Sequence, residues 1–102
     1  MLKAVIAGAI GEDAVMREAG NKKVINFTVA HNESYKKPDG EKVEKTVWVR
    51  CNLWSSSEKL RDALKKGKKV AVEGMPMATA YTNKEGEAKA NLELNVRDVD
   101  FI

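Results

Sequence analysis

Between Glu44 and Trp54 the chain alternates without a break. Val47, Val49, Cys51 and Leu53 fall on one side of a two-residue period, and Trp48, Arg50, Asn52 and Trp54 on the other. Successive side chains of a strand point to opposite faces, so the segment reads as a strand with one core face and one mixed face. The same period recurs over Val24–His31, where Ile25, Phe27 and Val29 alternate with Asn26, Thr28 and Ala30. It recurs again over Ala88–Arg97, with Leu92, Leu94 and Val96 against Asn91, Glu93, Asn95 and Arg97. Leu2–Ile10 reads as a first strand. Another begins near Lys69, with Val70 and Val72 inward, and continues past Gly74 and Pro76 towards Tyr81. Turn signals separate these runs: Gly11-Glu12-Asp13, Gly20-Asn21, Lys37-Pro38-Asp39-Gly40 and Asn83-Lys84-Glu85-Gly86.

One segment has helical spacing. Leu60, Ala63 and Leu64 form an apolar stripe, Ser55 and Glu58 have capping-box spacing, and Lys65 and Lys66 suit a last turn before Gly67 at C′. A short helix is therefore expected over Ser56–Lys66. The order is strand, strand, strand, helix, strand, strand. That is the order of an OB-fold, an all-β five-stranded Greek-key barrel with one helix between its third and fourth strands. At 102 residues the chain is a single domain, 1–102.

Composition narrows the function classes. Hydrophobic residues at 43% and charged residues at 32% describe a globular chain, and no apolar run reaches the ~18–20 residues of a membrane span. The first residues lack the basic region and cleavage site of a signal peptide. One cysteine excludes an internal disulfide and any multi-cysteine zinc site, so the cytoplasm is the expected compartment. With one histidine, and no P-loop, dinucleotide fingerprint or nucleophile elbow, the chain is not expected to be an enzyme or to carry a cofactor or metal. Net charge is +3, and it is concentrated centrally. Residues 21–50 and 51–74 are each +3, whereas 1–20 and 75–102 are −1 and −2. A basic middle suits either solubility or a polyanionic partner.

The mixed face of the third strand carries the functional signal. Trp48 and Trp54 share it with Arg50 and Asn52, and large apolar groups on a polar face mark interaction sites. Every base has a π-face to stack on an indole, and Arg50 can meet a phosphate. The competing reading packs that face under the helix or a neighbouring subunit. Two further aromatics lie near cations, Tyr35 beside Lys36 and Lys37, and Tyr81 on the last hairpin near Lys84. Phe27 and Phe101 fall on core-like positions. Cys51 is expected to be a buried inert thiol, and His31 to be structural or exposed at a strand end. Asp98 and Asp100 read as solvated carboxylates. Met75 and Met77 suit either core filling or a subunit contact.

The chain resembles the bacterial single-stranded DNA-binding protein family across its length. The resemblance runs through Gly8-Ala9-Ile10-Gly11-Glu12-Asp13 with Arg17, Asn26-Phe27-Thr28-Val29-Ala30, Trp48-Val49-Arg50, Leu64-Lys65-Lys66-Gly67-Lys68-Lys69-Val70 and Val72-Glu73-Gly74. It implies an OB-fold, a homotetramer, and sequence-independent binding of single-stranded DNA in replication, recombination and repair, with a cytoplasmic, nucleoid-associated location. The family's stacking aromatics fall on Tyr35, Trp48, Trp54 and Tyr81. Arg50, Lys36, Lys37 and Lys66 are the expected phosphate contacts, with Lys22 and Lys23 as further candidates. Ala14 stands where the family has proline, Val49 where it commonly has histidine, and Met77 and Thr79 where it usually has arginines. The family's acidic C-terminal tail is not expected in a chain of this length. Two alternatives stand beside this reading: a dimeric relative of the primosomal replication-restart protein, and an OB module for protein–protein contacts.

Overall fold

The computed structural model describes residues 1–102. Its elements are β1 (Ala4–Ile10), β2 (Val15–Ala19), β3 (Lys22–Lys36), β4 (Lys42–Trp54), α1 (Glu58–Ala63), β5 (Lys69–Thr82) and β6 (Ala88–Phe101). They form one sheet in the order β1-β5-β6-β4-β3-β2, and a further pairing of β1 with β3 closes it. β1 and β2 both pair with β3, so they are two halves of the first strand of a five-stranded closed barrel. All pairings are antiparallel except β4–β6, where Val49–Leu53 run beside Leu92–Val96. No helix is long and apolar enough to cross a membrane.

The break in the first strand was not foreseen. The period-two pattern ends the first strand at Ile10 and does not extend over residues 14–19, where Val15 and Met16 are the only large apolar side chains and are adjacent instead of alternating. Backbone pairing with β3, not side-chain pattern, makes β2 a strand. The chain bends between the halves at Gly11, whose N–H donates to the Thr28 carbonyl at 3.0 Å.

The core follows the period-two reading. Ile10, Ile25, Val29, Val49, Cys51, Leu64, Val70, Val72 and Leu94 are fully buried, and Phe27, Leu53 and Val96 nearly so. Phe101 departs from it. Its partner across the β5–β6 ladder is the buried Val70, yet it is 47% exposed, because the strand has run past the end of the barrel. Crossing β5 with β6 requires a bulge between Glu73 and Gly74. There a Cβ on Gly74 would be driven into the Asn95 carbonyl, so only glycine permits the crossing.

The helix is shorter than the sequence implied. Ser57, not Ser55, is the N-cap, accepting from the Leu60 N–H at 3.1 Å, while Ser55 Oγ accepts from the Ser57 N–H. Helical geometry stops at Ala63, so Lys65 and Lys66 lie outside it and Gly67 is no C′ residue. Gly67 instead donates its N–H to the Ile10 carbonyl at 2.8 Å. What α1 delivers is Leu64, a fully buried plug whose carbonyl accepts from the Ala14 N–H at 2.9 Å.

The radius of gyration is 15.5 Å, against about 13 Å for a compact chain of this length. The excess comes from two long hairpins. In one, β3 and β4 stay paired out to Lys36 and Lys42, and in the other, β5 and β6 out to Thr82 and Ala88.

Candidate nucleic-acid interface

Trp48, Arg50, Asn52 and Trp54 lie on the outer face of β4, and the ladders define what surrounds them. Trp48 pairs with Ala30, Arg50 with Thr28, and Asn52 with Asn26 on β3. On the other side Arg50 pairs with Glu93 and Asn52 with Asn95 on β6. β6 in turn sets Met77 beside Glu93, Thr79 beside Asn91 and Tyr81 beside Lys89. Paired residues share a face, so one outer surface runs from β3 through β4 and β6 to β5. It holds Trp48, Arg50, Trp54 and Tyr81 together.

Both tryptophans are outside the core, Trp48 at 59% and Trp54 at 52% exposure, so packing under α1 does not account for them in the single chain. Trp48 is nonetheless held in place. A Cβ at Gly11 would lie 2.7 Å from its Cζ3 and 3.0 Å from Thr28 Oγ1, so the benzo edge of the indole rests against Gly11. That contact requires a glycine and gives the first-strand bend a second use.

Two adjoining grooves, about 490 and 760 Å³, cross this face and share Glu12, Thr28 and Arg50. Their charge is mixed, since Glu12, Asp13 and Glu93 line them along with Arg17, Arg50 and Lys45. Arg50 makes no ion pair. Neutral amides complete the lining, where Asn26 Nδ2 donates to Asn52 Oδ1 at 2.7 Å, and just outside it Asn95 Nδ2 donates to Met77 Sδ at 3.8 Å. The paired amides offer planar, uncharged hydrogen-bonding groups beside Arg50. Further lysines lie around the grooves. Lys22 and Lys23 are on β3 and Lys36 is at the end of the β3–β4 arm, all without ion pairs.

The remaining expected residues are placed differently. Tyr35 is half exposed on the β3–β4 arm. Its partner is Val43, which puts it on the opposite strand face from Trp48 and Trp54. Lys37 is in the turn, 3.9 Å from Glu41. Lys66 follows α1, and its backbone N–H donates to Asp13 Oδ1 at 2.9 Å. Sequence reasoning missed Gly11 as the support of Trp48 and missed the amides of β6 as its neighbours. The signal for the second lay in the alternation of Asn91, Glu93 and Asn95, but its use needed the parallel register of β4 with β6.

Cys51 and His31 take the structural roles expected of them. Burial pushes the Cys51 thiol up to about 12. His31 Nδ1 lies 2.9 Å from the Ala7 carbonyl and Nε2 3.1 Å from Glu33 Oε1. Both contacts raise its pKa above 6.5, the Ala7 hydrogen bond most. The ring bridges β3 to β1 where the two strands diverge beyond Ala9 and Ala30.

A closed barrel of five strands, with a helix between the third and fourth and an aromatic outer face, defines the OB class of oligomer-binding proteins. Within that class, the model of the Single-strand binding protein family matches residues 1–102, and the chain belongs to that family. It is 34% identical to single-stranded DNA-binding protein 1 of Chlorobaculum tepidum over 98% of its own length and 64% of that protein's. The corresponding figures for the single-stranded DNA-binding protein of Neisseria meningitidis are 33%, 98% and 59%. The chain thus spans about three fifths of these relatives. Among solved structures it superposes on a Plasmodium falciparum SSB in complex with ssDNA with a TM-score of 0.79 and 24% identity. That match covers 100% of this chain and 95% of the other. The small single-stranded DNA-binding protein of Streptomyces coelicolor also gives 0.79, at 14% identity, covering 99% and 94%. At these identities the superpositions bear on the fold alone.

Proposed function

We propose that this chain is a non-enzymatic protein that binds single-stranded DNA without sequence preference, in replication, recombination and repair. The observation that carries the reading is the gathering of Trp48, Arg50, Trp54 and Tyr81 on one half-exposed face beside an amide-lined groove. Bases stack on the rings, each worth about 1–3 kcal/mol whatever the sequence. Arg50, Lys36, Lys37 and Lys66, with Lys22 and Lys23, neutralise phosphates around the groove. Tyr35 serves the same strand from the arm, on a stretch of DNA that bends round the hairpin edge. The names of the relatives point the same way.

A homo-oligomer belongs to the proposal. Val5 and Leu92 are exposed beside an apolar hollow of about 170 Å³ that also includes Ile6, Ala7 and Val47, where β1 has no strand on its outer edge beyond Ala9. A second copy is the occupant that the resemblance implies. A cytoplasmic, nucleoid-associated location completes the reading.

The test is an affinity series with labelled oligo(dT) and a duplex of the same length across salt concentrations. Affinity for the single strand should exceed that for the duplex at every salt, and fall with a log–log slope of about −0.7 per neutralised phosphate. Equal binding to both would show that the aromatic face takes no part, and the protein-contact module would replace this reading.

A further inference from the structure

Phe101 is an aromatic that neither the core nor the face described above uses. It is 47% exposed at the α1 end of the barrel, beside the still more exposed Ile102. The two line a groove of about 460 Å³ together with Ala63, Lys65, Lys68 and Lys69. Lys68 and Lys69 have no ion pair. Asp62, the acidic side chain on this groove, is 3.0 Å from Arg61 and so already partnered. The local backbone is fixed: Ile10 N–H donates to the Lys68 carbonyl at 2.9 Å, Lys68 N–H to the Lys65 carbonyl at 3.0 Å, and Ile102 N–H to the Lys69 carbonyl at 3.0 Å. A flat ring beside two unpaired lysines, Lys68 and Lys69, on a rigid frame repeats the pairing of aromatic and cation found on the Trp face.

The two places are also joined. Asp13 lines the groove at Arg50, accepts the backbone N–H of Lys66, and lies 4.0 Å from Lys65 Nζ, while Lys65 lines the groove at Phe101. A strand leaving the Arg50 groove therefore meets Lys66, then Lys65, then Phe101. We propose that the α1 end of the barrel is a second single-strand contact, in which a base stacks on Phe101 and Lys65, Lys68 and Lys69 hold the flanking phosphates. The proposal rests on the single-stranded DNA reading and extends its path. An uncharged partner would leave the lysines without a role, and a duplex could not present an unstacked base to the ring.

The experiment compares the native chain with Phe101→Leu and Phe101→Trp on oligo(dT) of about 4 to 20 nucleotides, the span of OB site sizes. Phe101→Leu keeps the apolar bulk, and melting curves check that all three chains fold alike. Short oligomers should bind the native chain and Phe101→Leu equally. Beyond a threshold length the native chain should gain affinity, and Phe101→Leu should lose about five- to a hundredfold of that gain, one base's worth of stacking. Phe101→Trp should retain it, with added fluorescence quenching that starts at the same threshold. Equal affinities for native and Phe101→Leu at every length would overturn the second contact while leaving the Trp face standing. A native chain that binds no oligomer of any length overturns both readings together. Loss of the long-oligomer gain in Phe101→Leu with no extra quenching in Phe101→Trp would also overturn stacking at this position.

Discussion

At the residue scale the chain separates two kinds of aromatic. Phe27 is sealed in the barrel, whereas Trp48, Trp54, Tyr35 and Tyr81 are each about half exposed. Trp54→Ala should therefore weaken binding of single-stranded DNA by about 1–3 kcal/mol, measured by titration. Thermal melting should fall by less than a core truncation would cost, because the ring is half exposed and its buried cross-strand partner, Val24, lies outside the core cluster. A large drop in melting temperature would instead make Trp54 a packing residue. This partition was legible from the alternation of Val47, Val49, Cys51 and Leu53 with their neighbours, because side-chain direction in a strand is local. The position of Phe101 was not. The β5–β6 bulge shifts its parity from that of Leu92, Leu94 and Val96 to that of Val99, opposite the buried Val70, and the length of β6 relative to the barrel then leaves it outside. The support of Trp48 by Gly11 was hidden for the same reason, since two residues far apart in sequence meet only once the first strand bends.

At the element scale, two devices hold the strands in place, and each makes a prediction. The β5–β6 crossing depends on the bulge at Glu73/Gly74, where a side chain would strike the Asn95 backbone. Gly74→Ala should cost roughly 2–4 kcal/mol in denaturant unfolding, since backbone cannot step aside as a flexible side chain would. A change within about 0.5 kcal/mol would mean that the crossing tolerates another register. The second device is His31, which ties β3 to β1 through Ala7 and leans on Glu33. Both contacts favour the imidazolium and raise its pKa. Its charged-state contribution is complete below the unfolded value near 6.5 and is lost as pH rises through the higher folded value. His31→Gln should therefore melt below the native chain by a margin that is largest at about pH 5 and shrinks to a constant above about pH 8. A margin independent of pH would show that the ring acts only as a neutral hydrogen-bonding group. The sequence indicated five of the six strand segments and the helix, because each carries its own apolar period or cap. It did not reveal β2, which has little apolar pattern, or the early end of α1, where Leu64 leaves helical geometry to plug the barrel.

At the scale of the whole molecule, charge and shape divide the work. Amides, an indole and charges of both signs line the grooves, further lysines lie around them, and two hairpin arms lengthen the chain's radius beyond that of a compact barrel. The OB class was legible from element order alone, since few folds place one helix between the third and fourth of five strands. The assembly of one outer face from β3, β4, β6 and β5 was not, because it depends on the parallel β4–β6 register, which has no local signature. The central claim is that bases stack on that face, and intrinsic tryptophan fluorescence reads it directly. Titration with oligo(dT) at several salt concentrations should give strong quenching that survives moderate salt, with a matched duplex giving little. Quenching should fall by part in Trp48→Phe and by part in Trp54→Phe. Binding without quenching, or equal quenching by duplex, would contradict the account and assign both indoles to protein contacts.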